Sequence, residues 1–278
     1  EKDWLKRDFF QKHKFSRSSH NLPIVVDFLY HPEAAFWFDH HLSTFKRRDW
    51  RKSFRTSKYH NWDPEYDSCC HLVLDALKNK FGYKPPRYLV ELARWLDIID
   101  GFNYKSAKQV INMKEPALQF DAFVDSKEKR NSGTSEKFIK ILSEQPVRKI
   151  ILRKDVRKVL SRERRVRRKT MDFYGKNIQI FGNISFIDIS ESKLPKSSVI
   201  HYYLSPGINY SLTLSKRESG LFHVTFASNP WAKNKNKTNL GNLFVKYGGG
   251  GHRDIGATDI KSLKSAKGII MKVIDKFR

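Results

Sequence analysis

The chain has 278 residues, 39% hydrophobic and 13% aromatic, enough to build two modest packed domains or one large one. Its 54 Lys and Arg against 29 Asp and Glu give a net charge of +25, a field that gathers polyanions: nucleic acid first, then polyphosphate and anionic membrane surfaces. No stretch approaches the roughly 20 apolar residues of a bilayer span, and Glu1-Lys2-Asp3-Trp4 carries no signal-peptide pattern, so membrane insertion is not expected. The adjacent Cys69 and Cys70 suit neither a structural disulfide nor a metal-ligand spacing, which fits a reduced, cytoplasmic protein.

Residues 1–15 read as a helix with Trp4, Leu5, Phe9 and Phe10 on one stripe, and Phe15 to His20 as a loop. Leu22-Pro23-Ile24-Val25-Val26-Asp27 is a β-branched apolar run closing on a carboxylate, the pattern of a buried strand. His31 stands before Pro32 in a turn and reads as a surface residue. A second strand, Ala34 to Phe38, then breaks into Asp39-His40-His41. Carboxylate beside imidazole suits a borderline divalent metal such as Mn²⁺, or Zn²⁺ or Fe²⁺, and strand ends of open α/β sheets are where ligands bind; a plain polar turn is the alternative.

Residues 45–60 mix Lys46, Arg47, Arg48, Arg51, Lys52, Arg55 and Lys58 with Trp50, Phe54 and Tyr59. Such a segment either grips a nucleic acid strand by charge and stacking or is a solvated loop with anchoring aromatics. Asp67 or Ser68 caps a helix whose buried face includes Cys69, Leu72, Val73, Ala76 and Leu77. A second helix spans 87–99; Asp97 and Asp100, three apart, share its face and require a partner for their charge. Residues 105–150 continue as helical scaffold of the first domain, with a loop at Asn131 to Ser135.

Residues 151–172 form a dense basic helix, either a solvated connector or a rail for nucleic acid phosphates. From Lys176 the pattern turns to strands, at 177–181, 184–189, 198–204, 210–214 and 221–226, before a basic helix at about 261–277. Gly248-Gly249-Gly250-Gly251-His252 offers backbone N–H groups to an anion without Cβ obstruction. Asn229 and Trp231, just after a strand, either meet substrate or make a tight turn.

Asp27, the Asp39-His40-His41 triplet and the distal glycine–histidine loop together resemble DHH phosphoesterases carrying a DHHA1 C-terminal domain. The resemblance spans Asp27 to His252, with the motifs in the family's order. It implies an α/β fold: a DHH domain over 1–150 with a parallel sheet flanked by helices, a basic linker helix over 151–172, and a smaller α+β DHHA1 domain over 173–278. It implies metal ligands Asp27, His40 and Asp97, with Asp100 in reserve. Asp39 would orient the neighbouring imidazole, and His41 would face the phosphate or move a proton. Gly248, Gly249, Gly250, Gly251, His252 and Asn229 would bind substrate.

The implied activity is that of an Mn²⁺-dependent phosphodiesterase or nuclease, with two ions and Mg²⁺ as a substitute, acting on short oligonucleotides or single-stranded RNA or DNA ends. A homodimer is compatible with it. The family's opening Asp-x-Asp pair has no match before Asp27, which implies either a missing N-terminal segment or an incomplete site. Accordingly, a nucleic-acid-binding protein with an inactive site is the second reading, and a polyphosphate binder the third.

Overall fold

The computed structural model describes residues 3–12, 22–126, 132–233 and 237–278. The loop read at 15–20, with His20, lies outside these residues, as does His13. Two compact units form: Glu1–Tyr104 with Phe138–Ile150, and Lys105–Lys137 with Ile151–Arg278.

The first unit begins with α1 (Phe9–Lys12), shorter than the helix read over 1–15. Its sheet has three parallel strands in the order β1 (Ile24–Val26), β2 (Phe36–Asp39), β3 (His60–Trp62). Successive side chains of a strand point to opposite faces. Trp37 therefore joins Val25, Tyr30, Trp50 and Phe54 on one side, while Phe38 joins Cys69 and Ala76 on the other. Trp50, within α2 (Arg48–Ser53), and Phe54 are thus core anchors, whereas Tyr59 is exposed. His31 corrects the surface reading. It is fully buried, with Nε2–H donating to the Lys6 carbonyl at 3.0 Å and Nδ1 accepting from the Glu33 N–H at 3.2 Å, and burial holds it neutral.

Ser68 caps α3 (Cys69–Phe81), accepting from the His71 N–H, and Gly82 ends it at φ 67°, a left-handed position that favours glycine. Pro86 then starts α4 (Arg87–Asp100), which packs against α3.

Residues 105–137 pack with the second unit instead of completing the first. In α5 (Ala107–Asn112), Ala107 lies against Tyr202 and Ile208, and Ile111 against Tyr174, Ile187 and Ile200. Next, α6 (Pro116–Val124) lies on α9 (Lys154–Asn177). Helical periodicity reveals a buried face without saying what it faces. Then α7 (Ser132–Glu144), helical where a loop was read, crosses the division before α8 (Val147–Ile150). The basic α9 (Lys154–Asn177) buries Val156, Val159, Leu160, Thr170 and Tyr174, so it is built into the second unit instead of standing apart as a linker.

Six strands make the second sheet: β4 (Gln179–Phe181), β5 (Ile184–Asp188), β6 (Tyr210–Lys216), β7 (Phe222–Ser228), β8 (Gly250–His252) and β9 (Ile255–Ile260), in the order β4-β5-β6-β7-β9-β8. Only β5 and β6 are parallel. One face carries Leu212, Leu214, Val224 and Phe226 against Ile270 and Val273 of α12 (Leu263–Phe277), and α11 (Leu240–Val245) packs on β8 and β9. The expected strand at 198–204 is α10 (Ser198–Leu204). Its β-branched and aromatic run suits either state, and tertiary bonds decide: His201 links Ser185 and Thr213, and the Tyr202 hydroxyl pairs with Ser211.

Asp121 of α6 is one acid that this packing penalises. Burial pushes its carboxyl up to about 6 despite nearby Arg167. A carboxyl raised on folding favours the fold below its unfolded pKa, and that favour is lost as pH rises through 6. Asp121→Asn should therefore stabilise the chain by about 1–2 kcal/mol at pH 8, after solvent screening, and leave it unchanged near pH 3.5. Thermal melts at both pH values test this; an equal gain at both would contradict it.

Candidate functional site

Because β1, β2 and β3 are parallel, their carboxyl ends share one edge, and Asp27 and Asp39 stand there. Asp27 directly follows β1 in a left-handed conformation, φ 57°, with its N–H donating to the Phe38 carbonyl. Such a backbone is sparsely populated by non-glycine residues and gathers at functional sites. Asp39 ends β2 and is buried; its Oδ1 accepts from the backbone N–H groups of His40 and His41 and from His41 Nδ1 at 2.7 Å. The turn is thus built around one carboxylate, which also fixes the His41 ring and raises its pKa.

His40 is set for ligation. Its Nδ1 lies 2.9 Å from the Tyr66 carbonyl, which only accepts, so Nδ1 carries the proton and Nε2 the lone pair. That buried Nε2 has no hydrogen-bond partner and lies 3.6 Å from Asp27 Oδ1 and 3.5 Å from Asp100 Oδ2. An orphaned imidazole lone pair between two carboxylates is a donor set that fits a divalent cation. Oxygen and nitrogen atoms of Asp27, Asp39, His40 and His41 all come within 4.8 Å of one another. Burial, with Asp27 nearby, pushes the Asp100 carboxyl above its usual range, a penalty that a bound cation would relieve.

Asp97 is not among the four residues of that cluster. Its Oδ1 accepts from the Ser68 hydroxyl at 2.7 Å and its Oδ2 lies 2.5 Å from His71 Nδ1. His71 in turn approaches Asp75 at 3.8 Å, and Asp75 accepts from the Tyr66 hydroxyl. Asp97 thereby backs the Tyr66 segment whose carbonyl orients His40. That carbonyl had no signature in the sequence, because any residue supplies one. Burial pushes the Cys69 thiol up to about 12, and partial desolvation also raises that of the exposed Cys70, which disfavours the thiolate at both.

In the second unit the last two glycines of the run, with His252, form β8, a strand at the sheet edge paired to β9, and Gly248 and Gly249 lie in the turn before it. Gly249 and Gly251 are required by close approach: an added Cβ would stand 2.1 Å from the Ala257 and Ile255 carbonyl oxygens respectively. Gly250 faces open space, and His252 is exposed. Asn229 is buried and engaged within its own loop; Nδ2 donates to the Ile208 carbonyl and Oδ1 accepts from the Trp231 N–H. The turn reading of that segment accounts for its side chain.

No family profile and no curated protein matches the chain by sequence. Solved structures do. The pGpG-specific phosphodiesterase PggH from Vibrio cholerae superposes with a TM-score of 0.75 over 98% of this chain and 88% of its own, at 18% identity. This chain has a two-domain DHH-like fold. An exopolyphosphatase-related protein from Bacteroides fragilis matches with a TM-score of 0.53 over 98% of this chain and 76% of its own, at 15% identity. The DHH/DHHA1 resemblance read from Asp27, Asp39-His40-His41 and the glycine loop therefore holds at the level of the fold. In this DHH-like fold, the three-stranded parallel sheet carries the metal-type cluster and the mixed sheet carries the glycine edge.

Proposed function

We propose that this chain is a metal-dependent phosphodiesterase that hydrolyses short oligonucleotides or single-stranded nucleic acid ends, with Mn²⁺ at its centre and a second ion completing a two-metal mechanism. The observation that carries this reading is the unpartnered Nε2 of His40 facing Asp27 and Asp100. Asp27, His40 and Asp100 would hold the cation, and Asp97 would act one layer back through His71 and Ser68. Bound cations would supply a nucleophile at neutral pH and neutralise charge on the phosphoryl oxygens.

The chain's own residues do the rest. Asp39 holds His41 by Nδ1, which leaves Nε2 for the substrate; its raised pKa favours the protonated ring, suited to delivering a proton to the departing oxygen. The edge backbone at Gly250 and Gly251 and the His252 ring would receive a phosphate, while Gly248 and Gly249, whose N–H groups donate to the Val245 and Phe244 carbonyls, would shape the turn that presents them. The +25 charge and the fold shared with a phosphodiesterase support a nucleotide substrate. The same charge motivates a cytoplasmic setting among nucleic acids.

A second reading, a nucleic-acid-binding protein with an incomplete site, is favoured by one observation: among the described residues a single metal-type cluster forms, and Asp27 is half exposed within it. Hydrolysis of a labelled oligonucleotide with Mn²⁺ separates the two. Wild type should cleave and Asp27→Ala should not; equal signals from both would remove the enzyme reading.

A further inference from the structure

The outward face of α9 carries a ladder of cations that the metal centre does not use. Arg157 and Lys158, Arg164 and Arg165, and Arg168 and Lys169 are all exposed. At 3.6 residues per turn these three pairs fall on one arc, within about 18 Å of helix. The only acid between them, Glu163, turns inward and lines a cavity of about 350 Å³ with Val166, Arg167 and Thr170.

Like charges at i,i+4, as in Arg164 with Arg168 and Arg165 with Lys169, destabilise a helix, and between Arg157 and Lys169 no acid faces outward; exposed Asp172, one turn further on, offsets only the end of the ladder at Arg168 and Lys169. A local conflict held in place by tertiary packing, here by buried Val156, Val159, Leu160 and Tyr174, is the pattern of a functional surface. Membrane adsorption fits less well, because those same apolar residues face inward and leave no wedge for lipid. Arginine's planar fork grips phosphate in two bonds, and a straight row of such forks suits an extended phosphate chain.

We propose that this face of α9 binds the backbone of single-stranded nucleic acid. The choice of nucleic acid over other polyanions rests on the phosphodiesterase reading above. This chain then holds strands longer than the dinucleotide named for the Vibrio cholerae structure.

The test is fluorescence anisotropy on the full chain with labelled single strands, from dinucleotides to about 16 nucleotides, with chelator present to stop cleavage. Wild-type affinity should rise with length and fall steeply with salt. The variant with Arg157, Lys158, Arg165 and Arg168 all changed to Gln should lose about tenfold in affinity for the longest strand and about 3 from the log–log salt slope, at about 0.7 per phosphate contact. Its dinucleotide hydrolysis should be unchanged, which also certifies its folding. A variant keeping the charge, with those arginines changed to Lys, should retain most of the slope. Identical slopes for wild type and the Gln variant would overturn the inference, as would preferential binding of long-chain polyphosphate or of phosphatidylserine vesicles. If α9-dependent binding persisted while no substrate was cleaved, the enzyme reading would fall and this one would be supported.

Discussion

Asp100→Asn is expected to lower Mn²⁺-dependent hydrolysis by more than about 100-fold, the scale on which even supporting groups of a metal site act. The substitution keeps the shape of the side chain and removes the charge that faces His40 Nε2 at 3.5 Å. Because burial raises the Asp100 carboxyl, its ionised form is penalised at neutral pH, and the neutral amide removes that penalty. The metal-free variant should therefore melt no lower than wild type. Asp97→Asn should behave in the opposite way. Its carboxylate is bonded to Ser68 and His71, so the variant should lose stability while retaining most of its activity. Calorimetry and kinetics on the two variants check this; a fall in Tm for Asp100→Asn beside full activity would contradict it.

Gly249→Ala is expected to cost about 3 kcal/mol and to lower Tm by about 10 °C, since its Cβ would meet the Ala257 carbonyl oxygen at 2.1 Å and backbone cannot step aside. Gly256→Ala meets the Leu240 carbonyl oxygen at 2.3 Å and should behave alike. Gly250→Ala is the informative contrast. A Cβ there meets nothing within 4 Å, so the fold should be untouched while phosphate approach to the edge strand is obstructed. An increase in KM with unchanged Tm is the expected result. Unchanged KM would assign the whole glycine run to packing of β8, β9 and α11.

The strand-end chemistry is legible in the sequence because the sequence changes character abruptly: apolar runs close on Asp27 and Asp39, and parallel pairing of those runs sets both acids at one sheet edge. Between the two acids of α4 the sequence favours Asp97 and keeps Asp100 in reserve. Both lie on the same face, and the fold gives them different neighbours, His71 for Asp97 and His40 for Asp100. Likewise Asn229 carried the right functional groups, but its amide is consumed by a turn whose partners, Ile208 and Trp231, are set by the fold. His31 and the helix at 198–204 failed for a shared reason: burial and tertiary hydrogen bonds decided both, and neither is written in local pattern.

The most direct test is Mn²⁺ binding followed by electron paramagnetic resonance on wild type, His40→Ala, Asp100→Asn and Asp97→Asn. Wild type and Asp97→Asn should sequester the ion, whereas His40→Ala and Asp100→Asn should bind at least about 100-fold more weakly. Wild-type affinity in Asp100→Asn, with loss in Asp97→Asn, would place the cation elsewhere and contradict the account.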